Sequence, residues 1–581
     1  MSRIVSLKYI CILAALYTVC LIPFADAAGM ADDLGRYLEK NRQATSGENN
    51  DILKQFYKDR NYQPVWFDHN NRMLTDIDRL ETALLNSAFQ NGLNPENYSL
   101  ENVLDDLQKS ADHKNLAAKR EWQLSQALLK YLHDLSHGAI NTKNFDPLIF
   151  MPPEGINLEA YLSDVINSRQ PEDVLASLEP QQQEYQQLKE QLAKQRELRN
   201  QNHWFEIKAS PGTVVYPGES HEIIPQLRER MAHYDYDGAL PRGIWVDQGR
   251  IADAGSIRKL ADQRKKNMNN NKTADTDKNP DLIYDDDLLK KIAEYQYFHG
   301  KKIDGVIGPQ TLNALNMSYD DRIDQIKLAM ERWRWFPQDM KDRHIFVNTA
   351  AFYTKAIENG QEVFVMPIIV GEVAHQTPVF GSVISNVRMH PDWTVPTSIA
   401  QRYLIEKIQK NPRVINQLGY QIQYIGDGVK NVSWDNVNIN NLHNIDLSKY
   451  RFRQKPGHNN ALGLVRFSIE NHYSIYMHGT PSMNLFNEGE RTFSSGCIRV
   501  QDPLTMAKFI LKEKGMSDAE IENLYYLDEG EDAKTEIIPL EENLPVYLTY
   551  ATAWIDRNGN INFSDDVYGR DKKLKQAFSQ L

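Results

Sequence analysis

The sequence predicts a multidomain α+β protein, with helical domains in the N-terminal half and a β-rich domain in the C-terminal half. The chain has 581 residues, and a typical domain uses roughly 150, so three to four domains are expected. Apolar residues recur at helical spacing up to about residue 316. Beyond residue 343, short β-branched and aromatic runs alternate with Gly, Pro and Asn, which is typical of strands joined by turns.

The composition narrows the class of protein. Hydrophobic residues make up 41% and charged residues 25% of the chain, which are ordinary globular values. These values exclude a mostly disordered chain, a collagen-like rod and a multi-span membrane protein. The net charge is −12, from 66 Lys and Arg against 78 Asp and Glu. Such a balance argues against nucleic-acid binding, which needs clustered cations.

The N-terminus, residues 1–27, predicts export. Arg3 and Lys8 supply a positive start, an apolar stretch follows, and Ala25-Asp26-Ala27 offers a cleavage site for a signal peptide. An uncleaved N-terminal membrane anchor is the alternative. The expected location of the protein is therefore outside the cytoplasm.

Residues 28–212 are predicted to form a helical domain. Within it, Gln181 to Asn202 is rich in Gln, Glu, Lys and Arg and carries Tyr185, Leu188 and Leu192 on one helical face. This pattern indicates a solvated helix that packs through one narrow apolar stripe. A charge-rich interaction arm is the alternative.

A second helical domain is predicted over residues 213–318. A polar stretch at 263–281 interrupts it and is expected to be a surface loop. The sequence DGVIGPQT at 304–311 has two glycines for tight turns, and Pro309 suits the start of a helix. Residues 319–342 are predicted to be a connecting helix.

The β-rich domain is predicted over residues 343–550, and residues 551–581 are a C-terminal extension. Between residues 401 and 466 a long segment interrupts the strand pattern and is interpreted as a flap or subdomain inserted between two strands. Segments of that length in compact domains are often functional lids. The predicted strands are 362–370, 383–389, 469–477, 497–500 and 546–550.

Cys497 is the strongest candidate for a catalytic residue. Cleavage of the signal peptide would remove Cys11 and Cys20, which leaves one thiol in a large exported protein. Exported proteins normally pair their cysteines in disulfides, so a lone thiol is either buried or functional. A thiol attacks a carbonyl as its thiolate, and a histidine in contact can take the proton.

The surroundings of Cys497 favour the functional interpretation. His478 ends one predicted strand and Cys497 begins another, so a hairpin-like return is expected to bring the two side chains together. The N–H groups of Gly496 and Cys497 are candidates to face a developing oxyanion. Arg499 is two residues further along the strand, so it points to the same side as Cys497 and can bind a carboxylate.

Two other patterns are given structural interpretations. His133 and His137 have the i, i+4 spacing of two metal ligands, but no third ligand accompanies them and an ordinary helical pair is favoured. Residues 556–560 lack the later Glu of a calcium loop, so they are predicted to form an Asn-Gly hairpin turn. The sequence predicts neither a metal site nor another cofactor.

Three stretches resemble known families. The pattern HGT…SSGCIRV at 478–500 resembles the signature of the L,D-transpeptidase catalytic domain, the YkuD-like fold. The helix–DGVIGPQT–helix unit resembles a three-helix peptidoglycan-binding domain. The N-terminal helical region resembles the scaffold domain of the large periplasmic L,D-transpeptidases of Gram-negative bacteria, the YcbB-like group.

The resemblance implies a role for each matching residue. Cys497 is the nucleophile, His478 is the base, and the Gly479 carbonyl orients that base. The insertion at 401–466 is a capping subdomain over the active site. The residues expected to contact substrate are Arg499, Tyr476, Ser494, Ser495, Gly496 and Trp393. For the two serines the alternative role is to shape the turn, and for Trp393 the alternative is a place in the core.

The implied reaction is the formation of 3→3 cross-links between diaminopimelate residues of peptidoglycan, through a thioester made from a donor tetrapeptide stem with release of D-Ala. The implied location is the periplasm, and the implied role is in cell-wall biogenesis and cell shape. Donor and acceptor stems, cell-wall synthesis proteins and carbapenem inhibitors are the implied partners. A hydrolase acting on the same bonds and a non-catalytic peptidoglycan-binding protein are the alternatives.

Overall fold

The computed structural model describes residues 27–40, 48–68, 72–109, 116–151, 155–201, 204–232, 245–246, 249–250, 259, 262, 279–426, 428–527 and 534–581. The predicted signal peptide lies almost wholly outside the described residues, as does most of the polar loop at 263–281. The chain forms two compact units. One unit comprises residues up to 89, 94–133 and 156–178, and the other comprises 90–93, 134–155 and 179–581. Within the described part of the chain, no helix has the length and apolar character needed to cross a bilayer.

The described α-helices fall mostly before residue 335. Their bounds are α1 Ala27–Lys40, α2 Glu48–Asp59, α3 Ile77–Gln90, α4 Leu100–Lys109, α5 Leu116–His137, α6 Thr142–Phe145, α7 Leu158–Asn167, α8 Pro171–Leu178, α9 Gln183–Gln201, α10 Ile224–Ala232, α11 Asp286–Phe298, α12 Pro309–Leu315, α13 Tyr319–Arg334, α14 Thr397–Ile399, α15 Ile405–Lys410, α16 Val414–Gln417, α17 Pro503–Leu511, α18 Asp518–Tyr525 and α19 Arg570–Phe578. A π-helical turn, Ala400–Leu404, joins α14 to α15.

The strands fall mostly after residue 342. Their bounds are β1 Ile149–Phe150, β2 Trp245–Val246, β3 Gly249–Arg250, β4 Arg343–Asn348, β5 Tyr353–Glu358, β6 Gln361–Gly371, β7 Val379–Met389, β8 Trp393–Thr394, β9 Tyr420–Tyr424, β10 Lys430–Val432, β11 Tyr450–Gln454, β12 Val465–Ile469, β13 Met477–His478, β14 Thr492–Ser494, β15 Ile498–Val500, β16 Glu536–Thr549, β17 Ala553–Ile555 and β18 Ile561–Phe563. The predicted multidomain α+β class is confirmed.

The first unit is helical and is organised around a buried carboxylate. Glu121 on α5 is fully buried and accepts hydrogen bonds from the backbone N–H groups of Val65 and Trp66 and from the Tyr57 hydroxyl. Burial raises the pKa of Glu121 to about 7. A single side chain thereby provides hydrogen-bond acceptors for backbone N–H groups where the chain turns between α2 and α3. Burying these N–H groups without partners would cost free energy.

The second helical domain has an apolar core of its own. Residues of α10, α11 and α12 form it, together with Val215 and Ile303. The turn at 304–305 is held by structural contacts, because the Gln296 carboxamide accepts the N–H groups of Asp304 and Gly305 at 3.1 and 2.9 Å. Gly305 has a φ of +63°, which favours glycine at this turn. The predicted helix start at Pro309 is confirmed.

Two domain bounds differ from those expected from sequence. Ile207 is buried in the core of the second helical domain, and its backbone N–H and carbonyl both bond to the side-chain carboxamide of Asn316, so the first domain ends before residue 212. The connecting helix α13 ends at Arg334 rather than at 342. The expectation for α9 is confirmed, because its buried residues include the predicted stripe of Tyr185, Leu188 and Leu192.

The β-rich domain is a closed sheet. Strand pairing runs β7-β12-β13-β15-β6-β5-β4-β16, and β16 pairs again with β7. Residues of successive strands alternate between the apolar interior and the outer face, as in β12, where Val465, Phe467 and Ile469 are buried. The predicted strand 469–477 is wrong. Asn471 Oδ1 accepts the N–H groups of Tyr473 and Ile475 and turns the chain there.

The capping subdomain lies between β7 and β12, which are neighbours in the sheet. It has its own four-stranded sheet in the order β10-β9-β11-β8 and its own apolar core. Its first strand begins at Trp393, so the insertion starts earlier than the predicted residue 401. The expected insertion between two strands of the main sheet is observed.

The C-terminal residues are an integral part of the β-rich domain. β17 and β18 form an antiparallel hairpin with Gly559 in its turn, which confirms the predicted Asn-Gly turn. Phe563 stacks on His299 with ring centroids 5.6 Å apart, and Gln325 donates to the Ser564 carbonyl at 3.0 Å. Residues 551–581 therefore join the second helical domain, α13 and the sheet.

Candidate active site

The two halves of the predicted motif lie on adjacent strands. β13 and β15 pair in parallel, with Met477 opposite Ile498 and His478 opposite Arg499. The hairpin-like return expected from the sequence is wrong, because a hairpin would make the strands antiparallel. The chain instead crosses over through a short 3₁₀ helix, Met483–Asn487, and through β14, which pairs with β6.

Parallel pairing still brings the predicted side chains to one face. Residues in register point to the same side of a sheet, and alternate residues along a strand do so too. His478 and Arg499 therefore share a face with Cys497 and Tyr476, while Met477 and Ile498 point into the core.

His478 is buried and held in one tautomer. Its Nδ1 lies 2.6 Å from the Gly479 carbonyl oxygen. A carbonyl only accepts, so Nδ1 carries the proton and Nε2 is left with its lone pair. Burial lowers the pKa of His478 to about 3, and the nearby Arg499 charge acts in the same direction. The imidazole is therefore neutral at physiological pH and able to accept a proton at Nε2.

Cys497 is half-buried and its thiol is protonated in this arrangement. Sγ donates to the Ser474 carbonyl at 3.7 Å rather than to His478. Burial raises the pKa of Cys497, and the positive charges of Arg466 and Arg499 offset part of that effect. The thiol and the imidazole on this face are therefore both neutral, and the Cys497 thiol donates to the Ser474 carbonyl and not to the imidazole in this arrangement.

The turn before Cys497 depends on one serine and one glycine. The Ser494 hydroxyl donates to the Cys497 carbonyl at 2.6 Å and accepts the Gly496 N–H at 3.1 Å. The Gly496 N–H is therefore occupied, and the expectation that it faces an oxyanion is wrong for this arrangement. Gly496 has a φ of +114°, which only glycine adopts readily. Ser495 is exposed at the tip of the turn.

The remaining predicted residues surround the thiol. Arg499 donates through Nη2 to the Phe493 carbonyl at 3.4 Å, and its Nε has no hydrogen-bond partner among the described residues. Burial and the nearby Cys497 raise the pKa of Tyr476, and Arg466 and the Trp393 indole partly offset this increase. Trp393 itself is half-buried and packs against the core of the capping subdomain.

Sequence reasoning missed two residues of this site. Thr377, after β6, donates from Oγ1 to the Gly496 carbonyl at 2.8 Å. The guanidinium of Arg466, on β12, lies over the Tyr476 ring, 4.1 Å from its centroid. Alternation along β12 places Arg466 on the face opposite Val465 and Phe467, which was the available signal. Nothing in the sequence around Thr377 indicated this hydrogen bond.

The domains match known families. Residues 342–534 match the L,D-transpeptidase catalytic domain, residues 51–192 match the scaffold domain, and residues 266–315 match a family described as "Putative peptidoglycan binding domain". A Haemophilus influenzae protein named "Putative L,D-transpeptidase" is 34% identical over 277 residues, or 46% of this chain and 53% of that protein. The chain thus spans about half the length of this relative. These matches confirm the resemblance that the motifs indicate.

Two solved structures are more distant. One is titled the Ldtfm-avibactam carbamoyl enzyme; it has 10% identity, covers 40% of this chain and 64% of that chain, and gives a TM-score of 0.18. The other is a cysteine-to-serine mutant of the Enterococcus faecium L,D-transpeptidase, with 9% identity, coverage of 40% and 65%, and a TM-score of 0.17. The family matches, rather than these likenesses, identify the domains.

Proposed function

We propose that this chain forms 3→3 cross-links in peptidoglycan. The premise is that it carries an L,D-transpeptidase catalytic domain behind a scaffold and a peptidoglycan-binding domain, as YcbB-like proteins do. Cys497 is the nucleophile of this reaction and His478 is its base. The observation that carries the proposal is the shared sheet face on which a neutral imidazole, a lone thiol and Arg499 lie together.

In the first half-reaction, Cys497 attacks the carbonyl of the third residue, a diaminopimelate, in a donor tetrapeptide. Since thiol and imidazole are both neutral, Nε2 of His478 takes the thiol proton as the S–C bond forms. The C–N bond to D-Ala then breaks, and the same proton goes to the departing amine. A thioester and free D-Ala are the products.

In the second half-reaction, the side-chain amine of a diaminopimelate on a neighbouring stem attacks the thioester. His478 accepts the proton that the amine loses, the C–S bond breaks, and the proton returns to sulfur. The product is an amide between two third residues. The Gly479 carbonyl supports both steps because it keeps the proton on Nδ1 and Nε2 free.

The capping subdomain is proposed to exclude water from the thioester, which favours attack by the amine over hydrolysis. The second helical domain is proposed to bind peptidoglycan, in line with its family match. We also propose that carbapenems acylate Cys497, because they present a carbonyl to the same nucleophile. A mass increase confined to the peptide containing that residue would support this.

Incubation with disaccharide-tetrapeptide, followed by mass analysis, tests the proposed reaction. Cross-linked dimer with released D-Ala supports it. Tripeptide and D-Ala without dimer would indicate a hydrolase, and no product would indicate a binding protein. Cys497→Ala is expected to abolish all products while sacculus binding remains. Met483→Ala, at an exposed position of the same crossover, is the matched control and should stay active.

The site of action is proposed to be the periplasm. The positive start, the apolar stretch and the Ala25-Asp26-Ala27 sequence support export with cleavage after Ala27. Fractionation of cells, with the mass of the N-terminal peptide, tests this. A periplasmic protein that begins at Ala28 is the expected result, and an intact N-terminus in the membrane fraction would indicate an uncleaved anchor.

A further inference from the structure

Three arginines and His478 form one row across four neighbouring strands. Arg388 on β7 is opposite Arg466 on β12, Arg466 is opposite His478 on β13, and His478 is opposite Arg499 on β15. Residues in register share a face, and neighbouring strands lie about 4.8 Å apart. Arg466 and Arg499 therefore lie on either side of His478.

This row carries positive charge that the described residues do not neutralise. No described carboxylate forms an ion pair with Arg388, Arg466 or Arg499. Asp392 is close enough to act on Arg466, but it is bound by Arg453 at 2.7 Å. Like charges directly opposite each other across two strands are unfavourable, so an anion placed here would be stabilised.

The two guanidiniums nearest Cys497 also have unused donors. Nε of Arg466 and Nε of Arg499 are buried and lack hydrogen-bond partners among the described residues. A buried donor without a partner costs free energy unless a ligand satisfies it. The positive charges of both guanidiniums lower the pKa of the Cys497 thiol, and Arg499 shares a sheet face with Cys497.

We propose that Arg466 and Arg499 each bind one carboxylate of the acyl donor, which makes Arg466 a second residue that selects the donor stem. The inference rests on the proposed function, because the two residues joined by the bond that breaks each carry a carboxylate: the side-chain carboxylate of diaminopimelate and the terminal carboxylate of D-Ala. A bidentate guanidinium–carboxylate pair fixes both the position and the orientation of the donor. A purely structural role for Arg466, in which it only supports the Tyr476 ring, is the competing explanation.

Binding of three donors to the full-length Cys497→Ala protein tests this inference without requiring turnover. The donors are the tetrapeptide, its side-chain amide and its terminal amide, each measured by calorimetry. Each amide is expected to bind about 10- to 100-fold more weakly than the tetrapeptide, as for the loss of one charge-assisted pair. When Arg466→Gln is added to the Cys497→Ala protein, the affinity for the tetrapeptide should fall by a similar factor. One of the two amides should then bind as well as the tetrapeptide does. Arg466→Lys should keep part of the discrimination.

The matched control is Arg557→Gln, which removes a charge from an exposed hairpin turn and should leave all three affinities unchanged. Equal weakening of all three donors by Arg466→Gln would indicate the structural role and overturn the inference. Unchanged affinities, or a Cys497→Ala protein that does not distinguish the donors, would overturn it too. Lack of cross-linked product from the active protein would instead refute the proposed function and leave the binding result standing.

Discussion

Thr377 Oγ1 donates a hydrogen bond to the carbonyl oxygen of Gly496, 2.8 Å away, and accepts the N–H of Gly371 at 2.9 Å. One fully buried hydroxyl thus ties the end of β6 to the residue that precedes Cys497. Gly371 has no room for a side chain, because a Cβ there would lie 2.0 Å from the His375 carbonyl. The position of the thiol is therefore set by a segment more than a hundred residues earlier in the chain.

Thr377→Val is expected to lower both stability and activity. Valine keeps the shape of threonine but leaves the Gly496 carbonyl and the Gly371 N–H without their partner. The loss should cost about 1–3 kcal/mol in the free energy of unfolding. The acylation rate of Cys497 should fall about tenfold or more, because the turn that carries the thiol is less well fixed.

Chemical denaturation and mass-detected acylation would measure the two effects. Thr82→Val, which removes an exposed helical hydroxyl from α3, is the control and should change neither. A Thr377→Val protein with the wild-type acylation rate would show that the thiol is positioned without this contact.

The reactivity of Cys497 is expected to rise with pH without a step near 6.5. The pKa of His478 is lowered to about 3, so its ring takes no proton between pH 5 and 8. The pKa of Cys497 is raised, so the thiolate fraction grows only at alkaline pH. The rate of alkylation by iodoacetamide should therefore increase continuously from pH 6 to beyond pH 9.

The protein without residues 1–27 suits this measurement, because Cys497 is then its one thiol. Arg499→Gln should lower the alkylation rate at a given pH, since a positive charge that favours the thiolate is lost. Fast alkylation that is constant between pH 5 and 7 would indicate a thiolate–imidazolium pair and contradict the neutral pair described above.

Local patterns predicted the strands and the motif but not how they combine. Runs of β-branched and aromatic residues bounded by turn residues were enough to predict β6, β7 and β15. The parallel pairing of β13 with β15 was missed, since register depends on the route of the crossover between them and not on either strand. The turn at Asn471 was missed because its side chain replaces the strand's hydrogen bonds.

The sequence also did not predict the contacts between distant segments. Thr377 carries no chemical signature, and Arg570 lies in an extension to which the sequence assigned no role. Both act through hydrogen bonds to segments over a hundred residues away. Such contacts follow from the closed sheet and not from spacing along the chain, so only the folded arrangement reveals them.

Glu372 is expected to hold the capping subdomain against the sheet. It accepts a hydrogen bond from the Tyr403 hydroxyl at 3.0 Å and lies 3.7 Å from Arg402, both in the π-helical turn of that subdomain. His375 Nδ1 lies 2.8 Å from the same carboxylate. Glu372→Ala should therefore speed amide exchange across residues 393–454 and raise the hydrolysed fraction of product, because water reaches the thioester.

Hydrogen exchange followed by mass spectrometry, together with the ratio of tripeptide to dimer, would measure both effects. Glu406→Ala is the control, since it removes an exposed carboxylate that pairs with Lys410 in the same helix. Deletion of the capping subdomain itself, residues 393–454, leaves β7 and β12 intact and should raise the hydrolysed fraction further. An unchanged product ratio in the Glu372→Ala and deletion variants would show that the subdomain does not exclude water.

Arg570→Met is expected to destabilise the protein and to act through Thr377. Arg570 is 2% exposed and donates to the Gln376 side chain at 3.0 Å and to the Thr377 carbonyl at 3.2 Å. Its guanidinium carbon also lies 5.4 and 5.2 Å from the ring centroids of Tyr550 and Tyr568. Methionine fills a similar volume but cannot donate, so about 2–4 kcal/mol of unfolding free energy should be lost. Lys572→Met, on an exposed face of α19, is the control.

The coupling is measured by combining Arg570→Met with Thr377→Val. If two residues act through one shared segment, the double variant loses less unfolding free energy than the two single variants together. The expected difference is about 0.5 kcal/mol or more, as for other coupled residues. Both residues hold the segment between β6 and β7 against the Cys497 turn. We therefore expect the acylation barrier of the double variant, too, to rise by less than the sum of the two single increases. Strictly additive losses in both quantities would mean that the C-terminal helix stabilises the domain without positioning the thiol.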